Sequence, residues 1–494
     1  MGDSLILRYN VDMKAKILVI WLVSYLLGCF FGYALPVIPT GFLVVGTLTL
    51  LISFMFIRRP YLFGIAFGFG LFCLAVWHFQ VDASNLISTN ETYSGQKMVL
   101  TLRVDDLPQK ALHGDKLRLK VVDGESGLVG RSVTGYLTEF NAPKFGEIIR
   151  VETRISGYKM ETQWRMISTG IVGETNINKF EVIGKDTSLF TQLHGLLLTV
   201  RQSLNDSIAR LFPAAEAGLG SGIILGEKAM VSPEMTRALQ ASGTTHIIAL
   251  SGYNITVILG LFILVRNRWG RLANLLMPSG LIILFVIMTG GAPSLVRAAI
   301  MGSLPLIARF LSRESDNFIS ILLSATLMAV FNPFLPLFDV GFQLSFVAFA
   351  GIIYITPLIA RAVKFIGASF SAIASETVGA QLATLPLLSY YFGMISVISP
   401  LSNMIILGIL PVCMASVFIT AVAGMMWQPL GVFLAVPTYY LLHFVNSVIA
   451  WTGSIGWASI AYKIENPWWI LIVYILIFDI WFVFRKVGRV RPAE

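Results

Sequence analysis

The sequence predicts a multi-span α-helical membrane protein of about twelve spans, some of them broken or re-entrant, with an all-β domain inserted between spans. Three observations carry that prediction. Of 494 residues, 56% are apolar and only 13% are charged, a balance far from that of soluble globular domains. Apolar runs of bilayer-crossing length recur from one end of the chain to the other. In one stretch, from about residue 80 to 191, hydropathy falls and the pattern changes to alternation with a period of two.

The first region, 1–79, holds apolar runs at 17–35, 41–57 and 61–79. Arg8, Lys14 and Lys16 precede the first run, and Arg58 and Arg59 close the second, which places both ends in the cytoplasm by the positive-inside rule. The third run then emerges outside. Two further spans following at once argue against a cleaved signal peptide.

The second region, 80–191, has alternating runs at 98–104, 116–122, 135–140, 147–155 and 179–183. Turn-forming clusters such as Asp123-Gly124-Glu125-Ser126-Gly127 and Asn141-Ala142-Pro143 separate them. About five strands fit an extracytoplasmic OB-like barrel, a fold that in some proteins binds single-stranded nucleic acid. Charge does not support that use strongly, because residues 80–200 contain 14 basic and 14 acidic residues. The whole net charge of +9 therefore lies in the membrane part, in short loops and at the termini, where the positive-inside rule accounts for it without a polyanion. A scaffold or gasket fits the domain as well as a DNA-binding surface does.

The connector, 192–242, is amphipathic at helical period over 193–211. Residues 213–236 carry Gly218, Gly220, Gly222, Gly226, Glu227 and Lys228, too polar and glycine-rich for an ordinary span. They read as an interfacial or re-entrant element, with a surface linker as the alternative.

In the region 243–484 apolar runs occupy 246–265, 272–289, 295–311, 318–331, 340–360, 370–390, 395–426, 431–451 and 468–484. Arg266, Arg268, Arg271, Arg309, Arg313, Arg361 and Lys364 mark cytoplasmic loops, and a basic tail, 485–494, follows the last run. Counting 395–426 as one span broken near Gly408 and Pro411 keeps every basic cluster on the cytoplasmic side; counting it as two does not. Cys29, Cys73 and Cys413 all lie in apolar runs and read as small core residues.

Polar residues inside these runs are candidates for a transport path, since hydrocarbon gives them no water to bond. The first set is His246, Ser251, Gly252 and Asn254. The second is Ser294 and Arg297, which follow the helix-breaking Gly290, Gly291 and Pro293. Arg297 falls at the outward end of its run, where it either snorkels to headgroups or stands in an aqueous cavity that attracts phosphate. The third is Gln343 and Ser345 behind Asn332, Pro333 and Asp339; Asp339 suits a helix cap, and Gln343 and Ser345 suit helix packing or pore lining equally. The fourth is Gln381 and Asn403, with Thr384, Pro386, Phe392, Gly393, Ser399 and Pro400 between them. A hydrolase built on Ser251 and His246 is disfavoured, because five helical residues turn about 140° and no acidic residue lies nearby.

These motifs resemble the ComEC family of competence channels. His246 with Ser251-Gly252 is similar to a family signature in which His and a few apolar residues lead to Ser-Gly-Leu-His, though here Tyr253-Asn254 replaces Leu-His. Ser294, Arg297, Ala298 and Met301 resemble a second family segment, and Asp339-Val-Gly-Phe-Gln-Leu-Ser-Phe346 matches a third at fixed spacing. The fourth set resembles a Leu-Pro, Phe-Gly, Ser-Pro-Leu and Asn pattern. The resemblance implies a channel that takes single-stranded DNA across the cytoplasmic membrane in natural transformation. It also implies an outer DNA receptor, a separate nuclease and a cytoplasmic helicase or translocase as partners, besides the lipid bilayer. Many members add a metallo-β-lactamase-like domain, but the five histidines here are scattered at 78, 113, 194, 246 and 443. No metal, cofactor or enzymatic activity is therefore expected. A transporter for a small or lipid-linked molecule, built on the same broken helices, is the competing reading, and a purely structural membrane protein is a third.

Overall fold

Pro39 and Pro60 each open a helix, as a residue with fixed φ and no N–H does at a first turn. They divide the N-terminal region into α1 (Gly2–Ala34), α2 (Pro39–Ser53) and α3 (Pro60–Tyr93) in the computed structural model. The structure describes residues 2–36, 38–111, 114–137, 142–159, 162–227, 230–248, 252–263, 270–313, 316–363 and 367–489. Glycines let α1 and α3 approach closely: a Cβ on Gly68 would fall 2.9 Å from Ser24 Oγ, and Trp21 Nε1 donates to the Gly64 carbonyl at 3.2 Å.

The third apolar run does not end in a loop at residue 79, where the sequence pattern changes. Helix α3 continues to Tyr93, and Phe79, Ala83, Leu86 and Asn90 are buried at spacings of four, three and four, one face of a helix. That face packs on the β domain, whose strands are β1 (Lys97–Val104), β2 (Gln109–Ala111), β3 (Gly114–Asp123), β4 (Ser132–Leu137), β5 (Glu147–Ser156), β6 (Ile171–Ile177) and β7 (Glu181–Lys185). Five of them close a ring in the order β1-β3-β4-β6-β5 and back to β1. The pair β4 and β6 is parallel and the others are antiparallel. A five-stranded barrel agrees with the OB-like architecture expected from the alternation. One strand was misassigned, since the fifth stave is β6, and the alternating stretch 179–183 falls in β7, an exposed strand paired to β5 outside the ring. Leu100, Leu102, Leu117, Leu119, Ile149 and Ile177 fill the barrel. A short helix, α4 (Gln163–Ser168), precedes β6.

The chain continues through α5 (Leu189–Leu211), α6 (Ala214–Leu225), α7 (Pro233–Ser242), α8 (Gly252–Ile263), α9 (Arg271–Met288), α10 (Pro293–Phe310), α11 (Asn317–Phe331) and α12 (Leu335–Phe338). It then forms α13 (Val340–Tyr354), α14 (Thr356–Ala362), α15 (Ala368–Phe392), β8 (Met394–Ser396), α16 (Ser399–Leu407), α17 (Leu410–Met426), α18 (Gln428–Ser454), β9 (Ser459–Ala461) and α19 (Trp468–Arg489). Two units result, Met1–Leu196 with Ser303–Asp339, and Leu197–Gly302 with Val340–Glu494. The barrel and α1–α3 belong to the first, which Asn332 and Phe334 complete: Asn332 Nδ2 donates to the Ser168 carbonyl at 2.6 Å, and Phe334 meets Phe79 edge-on at 4.9 Å. The second unit has its own core, where Ile208, Leu219, Ile223, Val417, Leu442 and Ile449 are buried together.

Among the described residues, five helices are long and apolar enough to cross a membrane, or up to seven if each bent pair counts as one span. The expectation was about twelve. Part of the difference arises at α11, where the apolar run 318–331 forms a helix of only 15 residues. One bent pair, α16 and α17, turns by 51° at Gly408 and Ile409, the position where the sequence placed a break. The other, α13 and α14, turns by 48°. The run 246–265 is not one helix either, because a 3-10 turn at Thr245–Ile247 and the helix α8 are separate elements.

Candidate functional site

In the second unit, a turn after α7 gathers polar groups from distant parts of the chain. Ser232 caps the start of α7 by accepting from the Met235 amide at 3.1 Å, and Gly243 ends it in the left-handed conformation, φ +72°. No other residue type fits at Gly243, since a Cβ there would lie 2.5 Å from Ser399 Cβ. The turn is held from across the fold: Ser396 Oγ donates to the Ala241 carbonyl at 2.7 Å, and Gln381 Nε2 donates to the Ser396 carbonyl. Asn403 Nδ2 donates to Ser399 Oγ at 3.2 Å, and the buried hydroxyls of Ser242 and Thr244 bond at 2.6 Å. His246 follows the turn directly, in the 3-10 element Thr245–Ile247. Three residues singled out by sequence, His246, Gln381 and Asn403, therefore share one turn. Gln381 Oε1 and Asn403 Oδ1 are buried acceptors with no hydrogen-bond partner among the described residues. An acceptor left so in a low-dielectric interior costs roughly 1–3 kcal/mol, which water or a ligand donor would recover.

A second group lies where α8, α10, α13 and α15 meet. Gly252 gives α8 close access to α10, where a Cβ on Gly252 would touch Ala298 Cβ at 3.7 Å. Next to Ala298, the Arg297 guanidinium stands over the Phe346 ring at 5.6 Å, a cation–π arrangement. Ser294 and Arg297 share a face of α10 at a spacing of three, as do Gln343 and Phe346 on α13. Gln343 Oε1 accepts from the Tyr391 hydroxyl at 2.7 Å, joining α13 to α15, while Ser345, two residues on and so on nearly the opposite face of α13, is half-buried.

Asn254 has a third location. Its side chain is buried, and Nδ2 donates to the carbonyls of Ile223 at 3.1 Å and Ile224 at 3.3 Å, satisfying the otherwise open C-terminal end of α6. Ser251 lies outside the described residues. Sequence reading missed the Gly243 turn itself, although Ser-Gly-Thr after an amphipathic stretch is a helix C-cap signal. It also missed a buried carboxylate: Glu216, in the first turn of α6, is 3.0 Å from His443 Nδ1 of α18. An acidic residue between Pro213 and an apolar run, opposite a lone His in a span, was the available signal.

Among the described residues, no group of three or more His, Cys, Asp or Glu side chains is placed to share a metal ion. A family described as competence protein matches residues 223–487, more than half of the chain and all of both polar groups. ComE operon protein 3 of Bacillus subtilis strain 168 is 30% identical over 237 residues, covering 47% of this chain and 29% of that protein. The match thus spans under a third of the relative's own length. No solved structure matches the chain.

Proposed function

This chain belongs to the competence protein family, and from that premise we propose that it is a membrane channel carrying single-stranded DNA across the cytoplasmic membrane during natural transformation. The observation that carries the reading is the Gly243 turn. Inside the family-matched region, broken helices bring His246, Gln381 and Asn403 together and leave two buried acceptors with no protein donor among the described residues. Such a place suits water along a polar path. A moving polyanion needs a hydrated route and a few cations rather than a deep site that would hold it.

In this reading the strand passes the Gly243 turn and the group formed by Gly252, Ser294, Arg297, Gln343 and Ser345. Arg297 supplies positive charge that attracts phosphate, and Phe346 beneath it keeps the guanidinium in place without neutralising it. Ser251 borders the same route, and Asn254 supports it from outside by holding the end of α6. The β barrel stands outside and both termini inside, with about twelve crossings when shorter helices are counted, because the basic loops then share one side. An outer DNA receptor, a separate nuclease and a cytoplasmic translocase act with it.

Removing the gene and following labelled DNA into the cytoplasm tests the function. DNA should remain outside or at the surface, and unchanged entry would end the proposal. For the route, single cysteines at 246, 297 and 403 in a background lacking the three native cysteines should react with a membrane-impermeant thiol reagent and be protected during DNA transit. Reactivity blocked by a small metabolite and not by DNA would favour the transporter reading instead.

A further inference from the structure

A groove of about 900 Å3 runs between α5, α6, α8, α9 and α17, near the upper end of the roughly 300–1,000 Å3 seen for ligand pockets. Its wall is almost wholly apolar. Leu197 and Leu204 of α5, Leu281 and Phe285 of α9 and Phe418 of α17 contribute to it, and five lining residues are methionines. Unbranched thioether side chains adapt to an irregular, flexible occupant. The groove is open along α9, a helix apolar and long enough to cross a membrane and largely uncovered by protein. Its open side therefore faces hydrocarbon.

Polar chemistry stands at one flank. Arg201 lies four residues after Leu197 and three before Leu204, on the groove-facing side of α5. Its Nη2 is 3.3 Å from Glu227 Oε2, just beyond the glycine that ends α6, and both side chains are partly exposed. Among the described residues, this one long contact occupies one of its five guanidinium N–H groups. Along α5, Leu189, Leu193, Leu196 and Val200 form an exposed apolar stripe at helical spacing, the mark of a helix lying in the membrane interface at the depth of lipid phosphates.

We propose that this groove holds the acyl chains of a phospholipid whose phosphate is bound by Arg201. The chains follow from the almost wholly apolar, methionine-rich wall, which reaches Ile224 and Asn254 and suits flexible hydrocarbon of irregular path. The phosphate follows from a guanidinium at interface depth beside the opening, where a planar fork suits phosphate oxygens. The lipid would seal the seam between α5, α9 and α17, whatever the channel carries.

The test uses the full chain purified in mild detergent and a phosphatidylglycerol with a photoreactive diazirine on one acyl chain. A diacylglycerol carrying the same label serves as the arm without phosphate. The phospholipid should label peptides within 276–288 and 414–426, and the diacylglycerol should label them far less. Arg201→Gln should weaken phospholipid labelling roughly tenfold, as loss of one charged hydrogen bond predicts. Gly280 lines the groove and has open space around an added Cβ, so Gly280→Phe should fill it and abolish labelling with elution volume and helicity unchanged. Leu284→Phe, also in the lining, gives the same readout if that variant does not fold. Labelling that persists in both filled variants overturns the groove assignment. Equal labelling by diacylglycerol overturns the phosphate assignment, and cross-linking of a second protein chain to these peptides with lipid excluded overturns the occupant.

Discussion

Asn254 Nδ2 donates to the Ile223 carbonyl at 3.1 Å, so a polar residue in the first turn of α8 secures the end of a neighbouring short helix. Asn254→Leu preserves size but leaves the carbonyls of Ile223 and Ile224 without that donor in a buried place. It should cost about 1–3 kcal/mol, read as a lower thermal midpoint in detergent. An unchanged midpoint would mean that water replaces the amide.

Gly243→Ala should be far more damaging than most glycine changes in the membrane part. The positive φ alone costs a residue with a Cβ about 1–3 kcal/mol, and Ser399 stands in the way of the new methyl. Protein in the membrane should fall sharply. A normal level with normal DNA entry would show that the turn opens readily in the native state.

Arg297→Gln should leave protein level near normal and reduce DNA entry roughly tenfold, the effect of losing a contact near 1.4 kcal/mol. Arg297→Lys should restore part of it, since Lys keeps the charge and loses the planar stack on Phe346. Equal entry for all three proteins would remove Arg297 from the path.

The barrel needs the end of α3. A fragment of residues 78–190 should be soluble and β-rich by circular dichroism, and Leu86→Ala within it should cost about 2–5 kcal/mol in chemical denaturation. A fragment beginning at residue 97 should be weaker still.

Acid should loosen the junction between the barrel and α5. The Ser188 amide, the Thr191 hydroxyl and Arg103 hold the Asp186 carboxyl down at about 2, below its ordinary value near 4. A carboxyl lowered by folding contributes stability that is complete above about pH 4 and is lost as pH falls toward 2. Asp186→Asn in a barrel fragment extended to residue 196, which keeps Thr191, should flatten that part of the stability profile while lowering it at neutral pH. A slope unchanged between pH 4 and 2 would assign acid sensitivity to other groups.

Much of the architecture was legible because period and hydropathy report burial directly. Four barrel strands and the break at Gly408 were readable for that reason. Strand β6 was not, because its inward positions include Gly173 and Thr175, and Thr175 bonds Thr153 inside the barrel instead of presenting an apolar side chain. The stretch at β7 alternates convincingly, yet all five of its residues are exposed. At the site, sequence marked polar residues in apolar runs but not their grouping. Gln381 reaches the Gly243 turn only through Ser396, and nothing local to either residue announces a partner more than a hundred positions away.

The fit of Asn332 and Phe334 onto the barrel region sets an order of events during synthesis. Residues 97–185 leave the ribosome well before the segment that holds Ser168 and covers Phe79. At about 5–20 residues per second, the wait is on the order of ten seconds. Until then an aromatic patch on a finished barrel is uncovered, and the nascent chain must keep it from other partners while the intervening helices enter the bilayer. A translational pause before residue 334 would lengthen that exposure, and a chaperone or insertase that recognises aromatic surface would find its substrate in that interval.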